Sequence, residues 1–266
     1  MNKTLFITNI KSNWGVFAFV AGMLLIYVIT SITMFDPDSA QSMIAMLEML
    51  PEGMMKAFGF DGLGTDLTSY LSGYLYGFIL LVFPLIYTII LSNKLVAKHV
   101  DSGSMAYLLT TPNSRVKIIL TQALYLISST FVLILIELIV LISMAEAMFP
   151  GHLEIGKFLA LNLLTYLVLV VVGGISFLFS CIFNDTKNSI AFGAGVPIIF
   201  FVLKMISEIS KKVEFLKYFT IYSLVSPDKI MNDGTYTTVV CLILVGVATI
   251  LYGSAIYIFN KRSLAI

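Results

Sequence analysis

SNWGVFAFVAGMLLIYVITSITMF, residues 12–35, contains no charged side chain. A helix rises 1.5 Å per residue, so a run of this length spans the roughly 30 Å hydrocarbon core of a bilayer. It is too long for the apolar core of a signal peptide, and no small-residue cleavage pattern precedes Asp36, so it reads as a retained helix. Comparable apolar runs place further helices, giving spans near residues 14–34, 67–92, 118–145, 158–183, 189–206 and 235–259.

Composition agrees with that reading. The chain is 59% hydrophobic and 12% charged, with a mean hydropathy of +0.98; ordinary soluble domains carry about 25% charged residues. A soluble core has no room for so much apolar surface. At roughly 20 residues per span, 266 residues accommodate six helices and modest loops. The expected fold is therefore an all-α membrane protein of six transmembrane helices, with residues 1–266 forming a single transmembrane domain in the cell membrane. Any energy-coupling domain would be another chain. A net charge of +1 argues against nucleic acid as a partner. Cys181 and Cys241 fall near opposite ends of different expected helices, too far apart in depth for a disulfide.

Six spans put both termini on one side. With that side cytoplasmic, Lys3, Lys11, Lys94, Lys98, Arg115, Lys117, Lys187, Lys261 and Arg262 lie inside, nine basic residues against seven outside. Basic residues next to helix ends set topology more strongly than carboxylates do, which favours N-in, C-in. The loop from 204 to 234, with five lysines, argues the other way. Its Lys211-Lys212 pair reads as the solvated face of an external amphipathic helix. In the other long outer segment Met43, Met46, Leu47, Leu50 and Met54 recur at helical spacing, Pro51 suits a first helical turn and Gly59 a C-terminal stop. This pattern describes a broken amphipathic helix on the membrane surface. No Cys or His accompanies the methionines, so they read as packing rather than as metal ligands.

Between the second and third expected spans runs DSGSMAYLLTTPNSR, residues 101–115. Gly103 ends one helix, Ser104 caps the next, Met105, Leu108 and Leu109 give that helix an apolar face, and Pro112 stops it. Such a short helix under the membrane suits docking into a groove of a cytoplasmic partner and passing its motion to the attached spans. Tyr107 and Arg115 belong to the same element.

Here the chain resembles the permease subunits of ABC transporters of the type-2, exporter class. Their pattern at this site is an acid, Gly, Ser or Thr, a leucine pair, Pro and then Ser/Thr-Arg, matched by Gly103, Ser104, Leu108, Leu109, Pro112, Ser114 and Arg115. The resemblance extends to Leu50-Pro51-Glu52 with Phe58-Gly59, and to the closing Phe259-Asn260-Lys261-Arg262-Ser263. Two positions depart from it: His99 stands where an acid is common, and Gln122 where a lysine is. The resemblance implies a permease that pairs with a second copy or a paralogue, as a homo- or heterodimer, and binds ABC ATPase subunits through the 101–113 helix. ATP and Mg would then belong to the partner, with no cofactor in this chain. It also implies that the second and fifth spans face the translocation pathway, making Tyr74, Phe78, Phe200 and Phe201 candidates for an apolar cavity.

Other motifs are weighed on physical grounds. Gly151–Phe158 nearly matches the phosphate-binding Gly-x-x-x-x-Gly-Lys-Ser/Thr pattern, but Phe158 cannot ligate magnesium and no strand precedes the segment. This chain is therefore not expected to be an enzyme. Glu137 lies well inside an expected span, where burying a charge costs about 2.5–3.5 kcal/mol on insertion scales, so it needs a partner or a proton. Asn162, Thr165 and Tyr166 on the next span offer hydrogen bonds; a place on the substrate pathway is the other reading. Lys204, near an outer helix end, is expected to snorkel to the interface. Ser69, Gly73 and Gly77 form a small-x-x-x-small row suited to close helix packing, and Gly193, Gly195 and Pro197 suit a kink or close approach.

Three functions compete. The permease of an ATP-driven exporter for an amphipathic or apolar substrate, such as a drug, peptide or lipid-like molecule, accounts for the loop. An ATP-independent secondary transporter or channel would need several ionisable groups inside the membrane, and only Glu137 qualifies. A membrane hydrolase would need a clustered catalytic set, yet His99 and His152 are expected on opposite sides of the membrane.

Overall fold

The computed structural model describes residues 2–37, 49–57, 64–110, 113–210 and 212–262, and among these every regular element is helical. The first span, α1 (Lys3–Met34), begins on Asn2, whose side chain accepts from the Leu5 amide. It thus starts well before the apolar run, because a cap and not hydropathy sets where a helix begins. A short helix, α2 (Glu52–Ala57), follows Pro51. Met43, Met46, Leu47 and Gly59 lie outside the described residues.

The second span is divided into α3 (Leu67–Tyr76), α4 (Ile79–Leu95) and α5 (Ala97–Asp101). A loop helix, α6 (Ser104–Leu109), leads to the third span, α7 (Arg115–Met148). The fourth and fifth spans, α8 (Ile155–Ile182) and α9 (Thr186–Ile209), are joined by a tight turn in which Asp185 caps the Asn188 amide. Those hydrogen bonds hold the Asp185 carboxyl below the usual carboxylate range. Two 3-10 helices, Glu214–Phe219 and Tyr222–Leu224, and α10 (Pro227–Asn232) precede the last span, α11 (Gly234–Lys261). This segment takes the form of several short turns where one amphipathic helix around Lys211-Lys212 was expected; Lys212 sits in a turn and Lys211 lies outside the described residues.

Six helices among the described residues are long and apolar enough to cross a membrane. The second and fourth are the most enclosed, with 67% of their most apolar window buried. The fourth span packs against the second, third, fifth and sixth, while the first packs on the third and second. Small residues permit this closeness. A Cβ on Gly174 would stand 3.2 Å from the Tyr252 ring and 3.3 Å from Leu251 Cβ, and one on Gly193 would stand 3.3 Å from the Ser176 backbone. Ser176 Oγ donates to the Gly193 carbonyl at 2.5 Å, and the Tyr252 hydroxyl to the Val170 carbonyl at 3.2 Å. Gly174 in the fourth span and Gly193 in the fifth are thus points where helices approach closely.

Polar side chains tie the spans together near the end that carries Asn2 and Arg262. Asn9 donates to Gln122 at 2.5 Å, Asn93 to Ser189 at 2.9 Å, and Ser180 pairs with Ser189 at 3.0 Å. In a membrane such interhelical bonds are each worth about 0.6 kcal/mol, so they fix rotation and register more than they supply stability. The two departures from the family pattern both belong to this scheme. Gln122 holds the first span, and the His99 imidazole Nδ1 lies 2.8 Å from Ser104 Oγ.

Candidate functional site

Gly103 adopts φ = +71°, a left-handed turn that a Cβ would strain although nothing crowds it, and this turn starts α6. Ser104 was expected to cap α6 but is its first residue, and no side chain caps the helix; its hydroxyl instead bonds back to the His99 carbonyl at 3.2 Å, to the His99 imidazole and to Ser102 at 2.9 Å, which holds the turn from three sides. Met105 is fully buried against the bundle, Leu108 and Leu109 are half-buried and packed on the core, and Tyr107 is 79% exposed. The apolar face expected to meet a partner thus faces the protein's own spans. The physical reason is proximity: with the bundle one turn away, burying Met105 and the leucines there stabilises α6 without a partner. What projects outward is Tyr107. Pro112 lies outside the described residues.

Arg115, at the start of α7, donates to the Arg262 carbonyl at 2.9 Å, and Arg262 donates to the Phe183 carbonyl at 3.0 Å. One chain of guanidinium bonds therefore joins the loop, the end of the last span and the end of the fourth. Beside it, a groove of about 570 Å³ runs between the end of the second span and the start of the fifth, lined by Asn93, Lys94, Lys98, Asp101 and Thr186. Sequence spacing singled out Arg115 and the closing Arg262 separately; their contact needed the fold.

At the other end of the bundle the second span breaks. Phe78 takes φ = −140° and ψ = −60°, and the Leu81 and Val82 amides both turn to the Phe78 carbonyl, at 3.2 and 3.1 Å. That leaves the Gly77 carbonyl without its helical donor. Lys204 supplies one from the fifth span at 3.2 Å, and its ammonium also meets Glu208 at 3.2 Å. Lys204 is only 4% exposed, so it turns inward where snorkelling was expected. Gly73 and Gly77 line a cavity of about 410 Å³ here, together with Tyr76, Lys204 and the turns after the fifth span. The Ser69–Gly73–Gly77 row thus serves an opening as well as packing, since broken backbone at membrane depth is tolerated where it lines a cavity or is buried in protein.

Glu137 is 1% exposed, and neither carboxylate oxygen has a hydrogen-bond partner among the described residues. Its expected partners are otherwise engaged: Asn162 donates to the Tyr76 hydroxyl and the Phe158 carbonyl, and Tyr166 to the Ile127 carbonyl at 3.5 Å. Thr165 Oγ1 is buried and unbonded like Glu137. The carboxylate lies within electrostatic reach of Tyr76, which links it to the cavity wall. The aromatic candidates separate into two groups. Phe78 and Phe201 pack together at 5.5 Å, with Tyr222 edge-on to Phe201 at 5.5 Å, whereas Tyr74 stacks on Tyr27 at 5.7 Å and Tyr70 at 5.6 Å. Phe200 lines a separate surface hollow with Tyr218 and Phe219. They do not share one cavity. Lys204, a lysine inside an apolar run that was expected at the interface, and Tyr76, which no sequence signal marked, are the residues that the fold adds to the cavity wall.

Comparison with curated proteins gave no match. The family described as "ABC-2 family transporter protein" matches residues 6–264, nearly the whole chain, including all six spans and the loop helix. Spans, loop and match agree: this protein is a multi-pass membrane permease belonging to the ABC-2 family of transporter proteins.

Proposed function

We propose that the chain is the transmembrane permease subunit of an ATP-driven exporter in the cell membrane, with residues 1–266 as one permease domain. The end carrying Asn2, α6 and Arg262 faces the cytoplasm. A separate ATPase subunit, binding ATP and Mg, engages α6 there, and a second permease, identical or paralogous, completes the pathway. The cargo is amphipathic or apolar. The Gly151–Phe158 segment takes no part in hydrolysis: its Lys157 pairs with Glu154 at 2.8 Å, and its Phe158 is fully buried.

The observation that carries this reading is the construction of α6. A buried Met105 fixes it to the bundle, an exposed Tyr107 projects from it, and Arg115 binds its downstream end to the last span. Force applied at Tyr107 would therefore pass to the third, sixth and fourth spans through bonded groups. Tyrosine suits an interface centre because it brings large contact area at small entropic cost.

The test is the full chain co-expressed with its ATPase subunit. Tyr107→Glu is expected to reduce ATPase co-purification at least about tenfold, the loss of one interface hot spot, and to abolish transport while the permease stays in the membrane. Leu108→Glu and Leu109→Glu should instead lower permease yield, because those side chains pack on its own core. Unchanged co-purification and transport in Tyr107→Glu would make α6 a simple connector and remove the reading's main support.

A further inference from the structure

The cavity at the break in the second span has a composition at odds with an apolar cargo route. Lys56, Lys204, Lys217 and Lys229 line it against two glutamates, Glu208 and Glu214. Both glutamates are already engaged, Glu208 with Lys204 at 3.2 Å and Glu214 with Lys217 at 2.6 Å. Among the described residues that line it, lysines outnumber glutamates four to two. Lys204 donates one N–H to the Gly77 carbonyl and holds Glu208 as an ion pair. Lys229 lies over the Tyr236 ring at 5.6 Å, and the Ser210 and Ser226 side chains also line the cavity.

A lysine that is 96% buried in a membrane protein is costly, and neutralising it takes more than one partly exposed glutamate. A divalent cation would be repelled by the lysines and would find no free carboxylate. An apolar ligand would strip water from the ammonium groups and offer them no acceptor in exchange. The group that satisfies several ammonium and hydroxyl donors at once is a tetrahedral oxyanion, which offers acceptors in several directions to compact point charges; planar carboxylate is better matched by the arginine fork, and no arginine lines the cavity. A volume of about 410 Å³ holds a phosphate together with part of the molecule it is attached to.

We propose that this cavity is a binding site for a phosphate group, carried either by a lipid headgroup or by a soluble phosphoester, with Lys204 at its floor and Lys217 and Lys229 at its rim. The break at Gly77 belongs to the site. It delivers the carbonyl that positions Lys204 and opens the helix to the cavity.

The site is testable without ATPase or nucleotide, so its failure is separate from failure of the exporter reading. The full chain in maltoside micelles, which carry no phosphate, is titrated with inorganic phosphate at constant ionic strength, reading equilibrium binding and thermal stability. Saturable binding is expected, weakened about tenfold by Lys217→Gln or by Lys229→Gln, the loss of one charge-assisted hydrogen bond. Glu214→Gln is expected to tighten it, a gain that no purely structural role would produce. Lys204→Met should abolish it; its melting temperature shows whether the variant is folded, and the rim variants carry the test if it is not. Repeating the titration in phosphatidylglycerol nanodiscs identifies the source: phosphate binding displaced there means a lipid headgroup is the occupant, and binding retained means a soluble phosphoester. Absence of saturable binding up to millimolar phosphate, or equal binding by wild type and the Lys217→Gln, Lys229→Gln double variant, overturns the proposal.

Discussion

Glu137 buries both carboxylate oxygens in the third span with no hydrogen bond to either among the described residues. A strut between helices would have shown a partner, and a buried polar group without one costs about 1–3 kcal/mol. Glu137→Leu is therefore expected to raise the melting temperature of the purified chain, while Glu137→Gln leaves it near wild type; a loss of folded yield in the leucine variant would restore the strut. If transport falls in both while folding holds, the carboxyl serves the pathway beside Tyr76. Gly103 is the opposite case, a residue whose role was plain from sequence. Its φ of +71° makes Gly103→Val cost about 1–2 kcal/mol, expected as reduced thermal stability, together with weakened ATPase co-purification because the turn aims α6.

At the scale of elements, the fourth span holds the bundle through glycine. Gly174→Leu would drive a side chain into Tyr252 and Leu251, where the added Cβ alone already meets atoms at 3.2–3.3 Å. The expected cost is about 1–3 kcal/mol, seen as a lower melting temperature and aggregation in size-exclusion chromatography. Gly195→Leu, whose Cβ meets nothing within 4 Å, should be silent in the same assay. Hydropathy located the last four spans to within a few residues, whereas the first begins early, at Lys3 on an Asn2 cap, and the second runs on to Asp101. It also read 67–92 as one helix. The break at Gly77 escaped it because Gly and Phe are both apolar enough to continue the run, and what stabilises the break is a lysine 127 residues away.

For the whole molecule, the six spans alternate so that α6, the 183–185 turn, Asn2 and Arg262 lie together, with the Lys204 cavity at the other end. On a background lacking Cys181 and Cys241, Ser102→Cys is expected to be shielded from an impermeant thiol reagent in intact cells and His152→Cys to be labelled; the reverse pattern would invert the protein and move the phosphate cavity to the cytoplasmic side. The sequence alone determined that this is a six-span membrane protein with a short helix between its second and third spans, because the transfer of each apolar side chain into lipid and the turn at Gly103 are local and sum along the chain. It also carried the family, through the loop motif. Only the tertiary structure decided that Met105 faces inward and Tyr107 outward, that Arg115 meets Arg262 across 147 positions, and that Lys204 completes a broken helix. Helix rotation inside a bilayer is set by pair contacts between distant segments, and hydropathy, which assigns each residue its own value, contains no such pairs.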